Sequence, residues 1–164
     1  MSDDPQNTGG SLEYRDDSRE AARQLAEATR RELLIFTRDL EPAVLDQSEF
    51  LEAVRQLVIR SRHTGLRVIC QDPTRAIKEG HGLIRLARRV SSHVSLHRPH
   101  REDAEEADAF IVSDETGYLY RPLADRLEGR WSPNDPTQAR RLRQRFDQMW
   151  DRSEPETEFR QLGV

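Results

Sequence analysis

This 164-residue chain has one cysteine, Cys70, and one lysine, Lys78. A single cysteine excludes an internal disulfide and fits a reducing compartment, so a cytoplasmic location is the simplest expectation. Cys70 falls inside a predicted apolar strand, where cysteine serves as a small hydrophobe. Hydrophobic residues make up only 35% of the chain and aromatic residues 6%, which keeps the core small. No stretch approaches the ~20 apolar residues of a membrane-spanning helix. The start, Met1-Ser-Asp-Asp-Pro, has neither basic residues nor an apolar run, so no secretory signal is expected there. A basic excess is missing too. The net charge of -4 weighs against a protein whose main business is coating nucleic acid, so nucleic acid is not the expected partner. The sequence has no Gly-Lys-Ser/Thr phosphate loop, no dinucleotide glycine fingerprint and no Gly-x-Ser-x-Gly elbow. These absences weigh against nucleotide hydrolysis and common hydrolase chemistry, and no cofactor is expected.

Charge is what the chain has in plenty, at 34% of residues. With Lys78 alone excepted, every basic residue other than histidine is an arginine. Arginine forks match carboxylates, so dense surface pairing is expected, although the bias also fits a GC-rich coding sequence. The length suits one domain. Residues 1–16 read as a disordered arm, 17–153 as a single α/β domain and 154–164 as a polar tail, with Phe159 and Leu162 as candidate contacts.

Asp17 and Glu20 have capping-box spacing, and a helix is expected to follow to about Arg31. Leu33–Thr37 is a continuous apolar run of the kind buried on both faces of a sheet. Asp46 with Glu49 repeats the capping spacing ahead of a helix over about 47–62, whose stripe is Phe50, Leu51, Val54, Leu57 and Val58. Strands are expected at 66–71 and 94–97, with a helix over 82–91 between them. Ala109–Ser113 and Tyr118–Arg121 read as a hairpin around the turn 114–117. Residues 123–133 read as irregular. Asp135 and Pro136 open a last helix with Ala139, Leu142, Phe146, Met149 and Trp150 on one face. Strands alternating with helices predict an α/β fold, a mixed and partly parallel sheet with helices on both faces.

The polar segment 98–107 followed by an apolar strand ending in Asp114 resembles the phospholipase-D-like fold. That superfamily carries His-x-Lys-x-x-x-x-Asp on such a strand. The resemblance implies a histidine nucleophile, a phosphate-binding lysine and an aspartate that orients a histidine. With Asp114 as the acid, the histidine position is Ala107 and the lysine position is Ala109. The stretch Gly80-His-Gly-Leu-Ile-Arg-Leu-Ala-Arg-Arg-Val-Ser-Ser92 and the ending Phe146-x-x-x-Trp150-Asp-x-Ser153 resemble uncharacterised bacterial proteins of this fold that lack the histidine and lysine. Some of those are joined to an acetyltransferase domain. The resemblance therefore implies a pseudoenzyme with a regulatory role, with a homodimer, a small anion or a protein such as an acetyltransferase as partner.

Ligands of parallel α/β sheets gather beyond the C-terminal strand ends. Arg38, His81, Arg98, Asp114 and Arg121 are the candidate residues for an anion there, against the plainer reading that they cap loops and pair with carboxylates. His81 lies between two glycines at a helix start, where backbone amides can hold an anion. His97-x-x-His100 with His93 lacks the cysteines or second pair expected of a zinc site, so no metal is expected. Arg140, Arg141, Arg143 and Arg145 form a stripe on the last helix, which reads as a solvated face or as a surface for acidic partners. Three functions follow: a non-catalytic module binding an anion or a protein, a phosphodiesterase using His81, His97 or His100, and nucleic-acid binding through the arginine helix.

Overall fold

The computed structural model describes residues 9–157. Its elements in chain order are β1 (Gly10–Leu12), α1 (Arg15–Ala28), β2 (Leu33–Thr37), α2 (Pro42–Leu45), α3 (Ser48–Arg60), β3 (Leu66–Cys70), α4 (Thr74–Glu79), α5 (Gly82–Arg89), β4 (Val94–Arg98), β5 (Ala109–Ser113), β6 (Gly117–Arg121), β7 (Gly129–Ser132), α6 (Pro136–Arg152) and β8 (Glu154–Pro155). The strands form one mixed sheet in the order β1-β7-β6-β5-β2-β3-β4-β8. β2, β3 and β4 are parallel, and every other pairing is antiparallel.

Side chains alternate across the strands, and the two faces carry separate cores. Leu33, Ile35, Val68, Leu96, Ile111 and Leu119 face the helices α1 to α5. Leu34, Phe36, Ile69, Phe110 and Val112 face α6, which contributes Ala139, Phe146 and Met149. Every residue of β2 is buried, as expected of a strand covered on both sides. Phe146 is held edge-on by Phe110, with ring centroids 6.5 Å apart, and stacks on Trp150. Arg67 lies over Phe146 and Trp150 while bonding Glu32 at 2.8 Å and Asp147 at 3.0 Å, so the rim of this second core is ionic.

The N-terminal arm expected over 1–16 is structured where it is described. Gly10–Leu12 pairs with Gly129–Trp131, and Leu12 is buried in the core. Residues 1–8 lie outside the described residues, as do Phe159 and Leu162 of the tail. Glu154 and Pro155 add a short edge strand to β4. Helix α1 starts two residues ahead of Asp17, because that carboxylate reaches back to the amides of Glu13 and Tyr14, at 2.9 and 2.8 Å. Asp46 does not cap α3. Its Oδ1 accepts from the amide of Gly82 at 3.1 Å and so ties the starts of α3 and α5 together. Asp135 caps α6 as expected, accepting from the amide of Gln138.

Candidate functional site

The direction of each strand decides which candidates can meet. β2, β3 and β4 end together at Thr37, Cys70 and Arg98. β5 runs the other way, with Phe110 opposite Phe36 and Ser113 opposite Leu33. Ala109 therefore lies at the C-terminal end of the parallel strands, and β6 brings Arg121 beside it. Asp114 follows Ser113 at the opposite end of the sheet, about 16 Å from Ala109 along a strand that rises ~3.3 Å per residue.

Arg121 is the most heavily engaged candidate. It is buried, at 2% exposure. Its Nε donates to the carbonyl of Arg126 at 2.8 Å and its Nη2 to that of Ala124 at 2.6 Å. Its Nη1 donates to both carboxylate oxygens of Glu41. Glu41 comes from the loop after β2, where Leu40 and Glu41 both have positive φ, 65° and 26°. The ion pair occupies the space beside Ala109. What remains is a cavity of about 20 Å³, lined among others by Ser18, Thr37, Glu41, Ala109 and Arg121. Nothing at the sequence level announces Glu41, because 80 residues separate the partners.

His81 stands behind that same loop. Its Nδ1 accepts from the amide of Leu83 at 3.1 Å, capping α5, so its protonated Nε2 donates to the carbonyl of Leu40 at 2.8 Å. Burial lowers its pKa and favours this neutral form. The flanking glycines have structural reasons. Gly80 ends α4 in the left-handed conformation at φ 69°, and a Cβ on Gly82 would strike Leu51. Arg98 is exposed and bonds Glu154 at 2.9 Å. Arg38 is exposed, and its carbonyl accepts from the amide of Asp72 at 2.6 Å. The loop 38–41 thus joins His81 and Arg121, while Arg98 lies on the far side of β3.

The other histidines are committed elsewhere. His97 stacks on Trp150 with centroids 3.6 Å apart, and its Nδ1 meets the Ser153 hydroxyl at 2.7 Å. Burial, helped by the charge of Arg67, pushes its pKa down to about 4. His100 Nδ1 accepts from the amide of Glu102. No cluster of metal-ligating side chains occurs among the described residues. Burial pushes the Cys70 thiol far up, and its Sγ–H points at the Arg38 carbonyl.

Asp114 is a backbone staple. Its Oδ2 accepts from the amide of Arg30, and its Oδ1 from those of Arg31 and Glu32, all at 2.9 Å. Its own amide donates to Glu32, and its carbonyl accepts from Arg143. Asp114 therefore closes the turn between α1 and β2, at the end of the sheet away from Arg121.

The arginine stripe of α6 divides. Arg143 pairs with Glu32, and Arg145 with the buried Asp108, whose second bond to it is 2.9 Å. Arg140 and Arg141 are exposed and engage no carboxylate at ion-pair distance among the described residues. Arg141 lines a groove of about 780 Å³ between α6 and β6–β7, together with Tyr118, Tyr120, Arg130 and Arg145 and the two carboxylates Glu128 and Asp135. Arg130 also lacks a carboxylate partner there. The sequence reading missed this groove because it left β7 as irregular chain.

A family model described as "Domain of unknown function (DUF7931)" matches residues 14–162. Among curated proteins, no sequence matches the chain. Solved structures do. TrmBL2, an archaeal chromatin protein whose structure shows a novel mode of DNA binding, superposes with a TM-score of 0.63 at 12% identity. That likeness covers 90% of this chain and 54% of TrmBL2, so the chain spans about half the length of that protein. NucT from Helicobacter pylori gives a TM-score of 0.62 at 7% identity, over 91% of this chain and 99% of its own. Nuc from Salmonella typhimurium, a phospholipase D family member, gives 0.59 at 10% identity over the same shares. At such identities the likeness carries the fold alone, and the fold is phospholipase-D-like.

Proposed function

The chain belongs to the DUF7931 family and has a phospholipase-D-like fold, and from that premise we propose that it is a non-catalytic module binding a small anion or a protein partner in a regulatory role. The observation that carries this reading is at the start of β5. Ala107 and Ala109 stand where the resemblance puts a nucleophile and a cation, and the Arg121–Glu41 pair fills the space beside Ala109. A phosphodiester step by nucleophilic catalysis needs an activated nucleophile at the bond being broken, and alanine offers none. A histidine from another loop gains no support from the geometry. His81 has both ring nitrogens bonded, and His97 is stacked on Trp150. Bis-p-nitrophenyl phosphate and a labelled oligonucleotide are expected to turn over no faster with the protein than in buffer. Turnover that disappears in His81→Ala, His97→Ala or His100→Ala would overturn the reading.

The groove beside α6 favours nucleic acid as a second reading. The acidic balance of the whole chain does not set it aside, because Arg130 and Arg141, neither at ion-pair distance from a carboxylate among the described residues, stand beside two tyrosines in a groove that Glu128 and Asp135 also line. Of the similar structures, that of TrmBL2 concerns DNA binding. Two phosphate contacts to a single strand predict a log–log salt slope of about -1.4, at ~0.7 per contact. Fluorescence anisotropy with a single-stranded oligonucleotide measures that slope, and Arg130→Gln with Arg141→Gln should abolish binding. No association at low salt ends this reading.

A further inference from the structure

Arg121 is a buried cation whose only carboxylate partner among the described residues arrives on a strained loop. Leu40 and Glu41 are both non-glycine residues at positive φ, a conformation that persists only where the surroundings impose it. Three bonds impose it here. The Thr37 hydroxyl accepts from the amide of Leu40 at 3.2 Å, Asp39 accepts from that of Glu41 at 3.0 Å, and His81 donates to the carbonyl of Leu40. Ser18 lines the same small cavity as Arg121 and Glu41. The residue is wholly buried, yet its hydroxyl oxygen has no hydrogen-bond partner among the described residues. A buried hydroxyl without a partner is uncommon in a folded chain and calls for an explanation.

We propose that Arg121 is a latched oxyanion site: Glu41 is its built-in occupant, and a phosphate-class anion displaces that carboxylate to bind between Arg121 and Ser18. The present occupant shows what the site accepts, since two carboxylate oxygens sit on one guanidinium nitrogen. A tetrahedral oxyanion offers the same guanidinium two oxygens and leaves a third for the Ser18 hydroxyl, which a carboxylate on a side chain does not reach. The cavity of about 20 Å³ is too small for such a ligand while Glu41 is in place, so binding requires the loop 38–41 to swing out. The turn joining β2 to α2 is then the moving part, and its release changes the surface formed by Arg38 and Asp39. No bond is made or broken in the ligand. The inference rests on the non-catalytic reading and gives it a ligand class and a switch.

The test titrates inorganic phosphate and phenyl phosphate into the full chain at matched ionic strength, with chloride as control and thermal shift and phosphorus NMR as readouts. Glu41→Gln is expected to bind phosphate about tenfold more tightly than the wild type, because the competing carboxylate is gone. Ser18→Ala in the wild-type background removes only an unpartnered hydroxyl, so it should fold normally and weaken phosphate about fivefold. It keeps the test decisive should Glu41→Gln fail to fold. Tighter binding of free phosphate than of the ester assigns the site to the inorganic ion, and the reverse assigns it to a phosphate monoester. Three results overturn the inference: a folded Glu41→Gln that answers phosphate no more than chloride, binding that survives Arg121→Gln, or binding confined to Glu41→Gln and never seen in the wild type. Each leaves the absence of turnover untouched, so failure here is distinct from failure of the non-catalytic reading.

Discussion

Asp114→Ala should lower stability by about 2–4 kcal/mol without changing any ligand binding, as a melt monitored by circular dichroism would show. The carboxylate holds three successive amides, those of Arg30, Arg31 and Glu32, at the turn where α1 hands the chain to β2. Bonds to a charged acceptor are worth more than neutral ones, but two of these donors are exposed and can turn to water, which keeps the sum below three full bonds. Asp114 also sits at φ 52°, a region that aspartate and asparagine tolerate better than alanine. Asp114→Gly separates the two causes, since it relieves the backbone and removes only the carboxylate. Asp114→Asn should recover about half the loss, keeping one acceptor and the turn preference. If Asp114→Ala leaves the melting temperature unchanged, the staple carries no stability.

The second large effect is expected at Arg121. Arg121→Gln removes the bonds to the carbonyls of Arg126 and Ala124 and leaves Glu41 without its cation. Breaking a buried pair from one side costs about 3–5 kcal/mol. Glu41→Gln should cost less, about 2–3 kcal/mol, because the amide oxygen still accepts one bond and no charge is left buried without a partner carbonyl. Denaturant unfolding of both variants measures this order. The reverse order, with Glu41→Gln the more damaging, would mean that the guanidinium is held mainly by its carboxylate rather than by the two carbonyls.

The parts of the fold legible in the sequence are those whose burial is strong. Leu33–Thr37 reads as a two-faced strand because all five residues are buried, and the α6 stripe reads because Ala139, Phe146 and Met149 pack on Phe110 and its neighbours. The hairpin 109–121 reads from its apolar strands and its turn. The missed elements are short or half-exposed. Gly129–Ser132 has no fully buried residue, while α2 and α4, at four and six residues, are too short to show a period.

Only part of the candidate site was legible in the sequence. Arg121 is legible as a cation ending the second hairpin strand, and the structure's register sets it opposite Ala109. Asp114 was grouped with it on the expectation that polar residues gather beyond strand ends. That expectation takes all strands to run one way, and the antiparallel β5 sends Asp114 to the other end. His81 was noted for the glycines around it, which turn out to serve a left-handed cap and close packing on Leu51. Glu41 and Ser18 carry no signal in sequence, because each acts across the fold on a partner that local spacing cannot reveal.

The account turns on whether an internal ion pair closes the space beside Ala109, and a double-mutant cycle on Arg121→Gln and Glu41→Gln measures that pair directly. A coupling energy of about 2 kcal/mol or more is predicted, with the double variant less damaged than the sum of the two single changes. A coupling below about 0.5 kcal/mol would contradict it, because the two side chains would then not hold each other in solution and the site beside Ala109 would stand open.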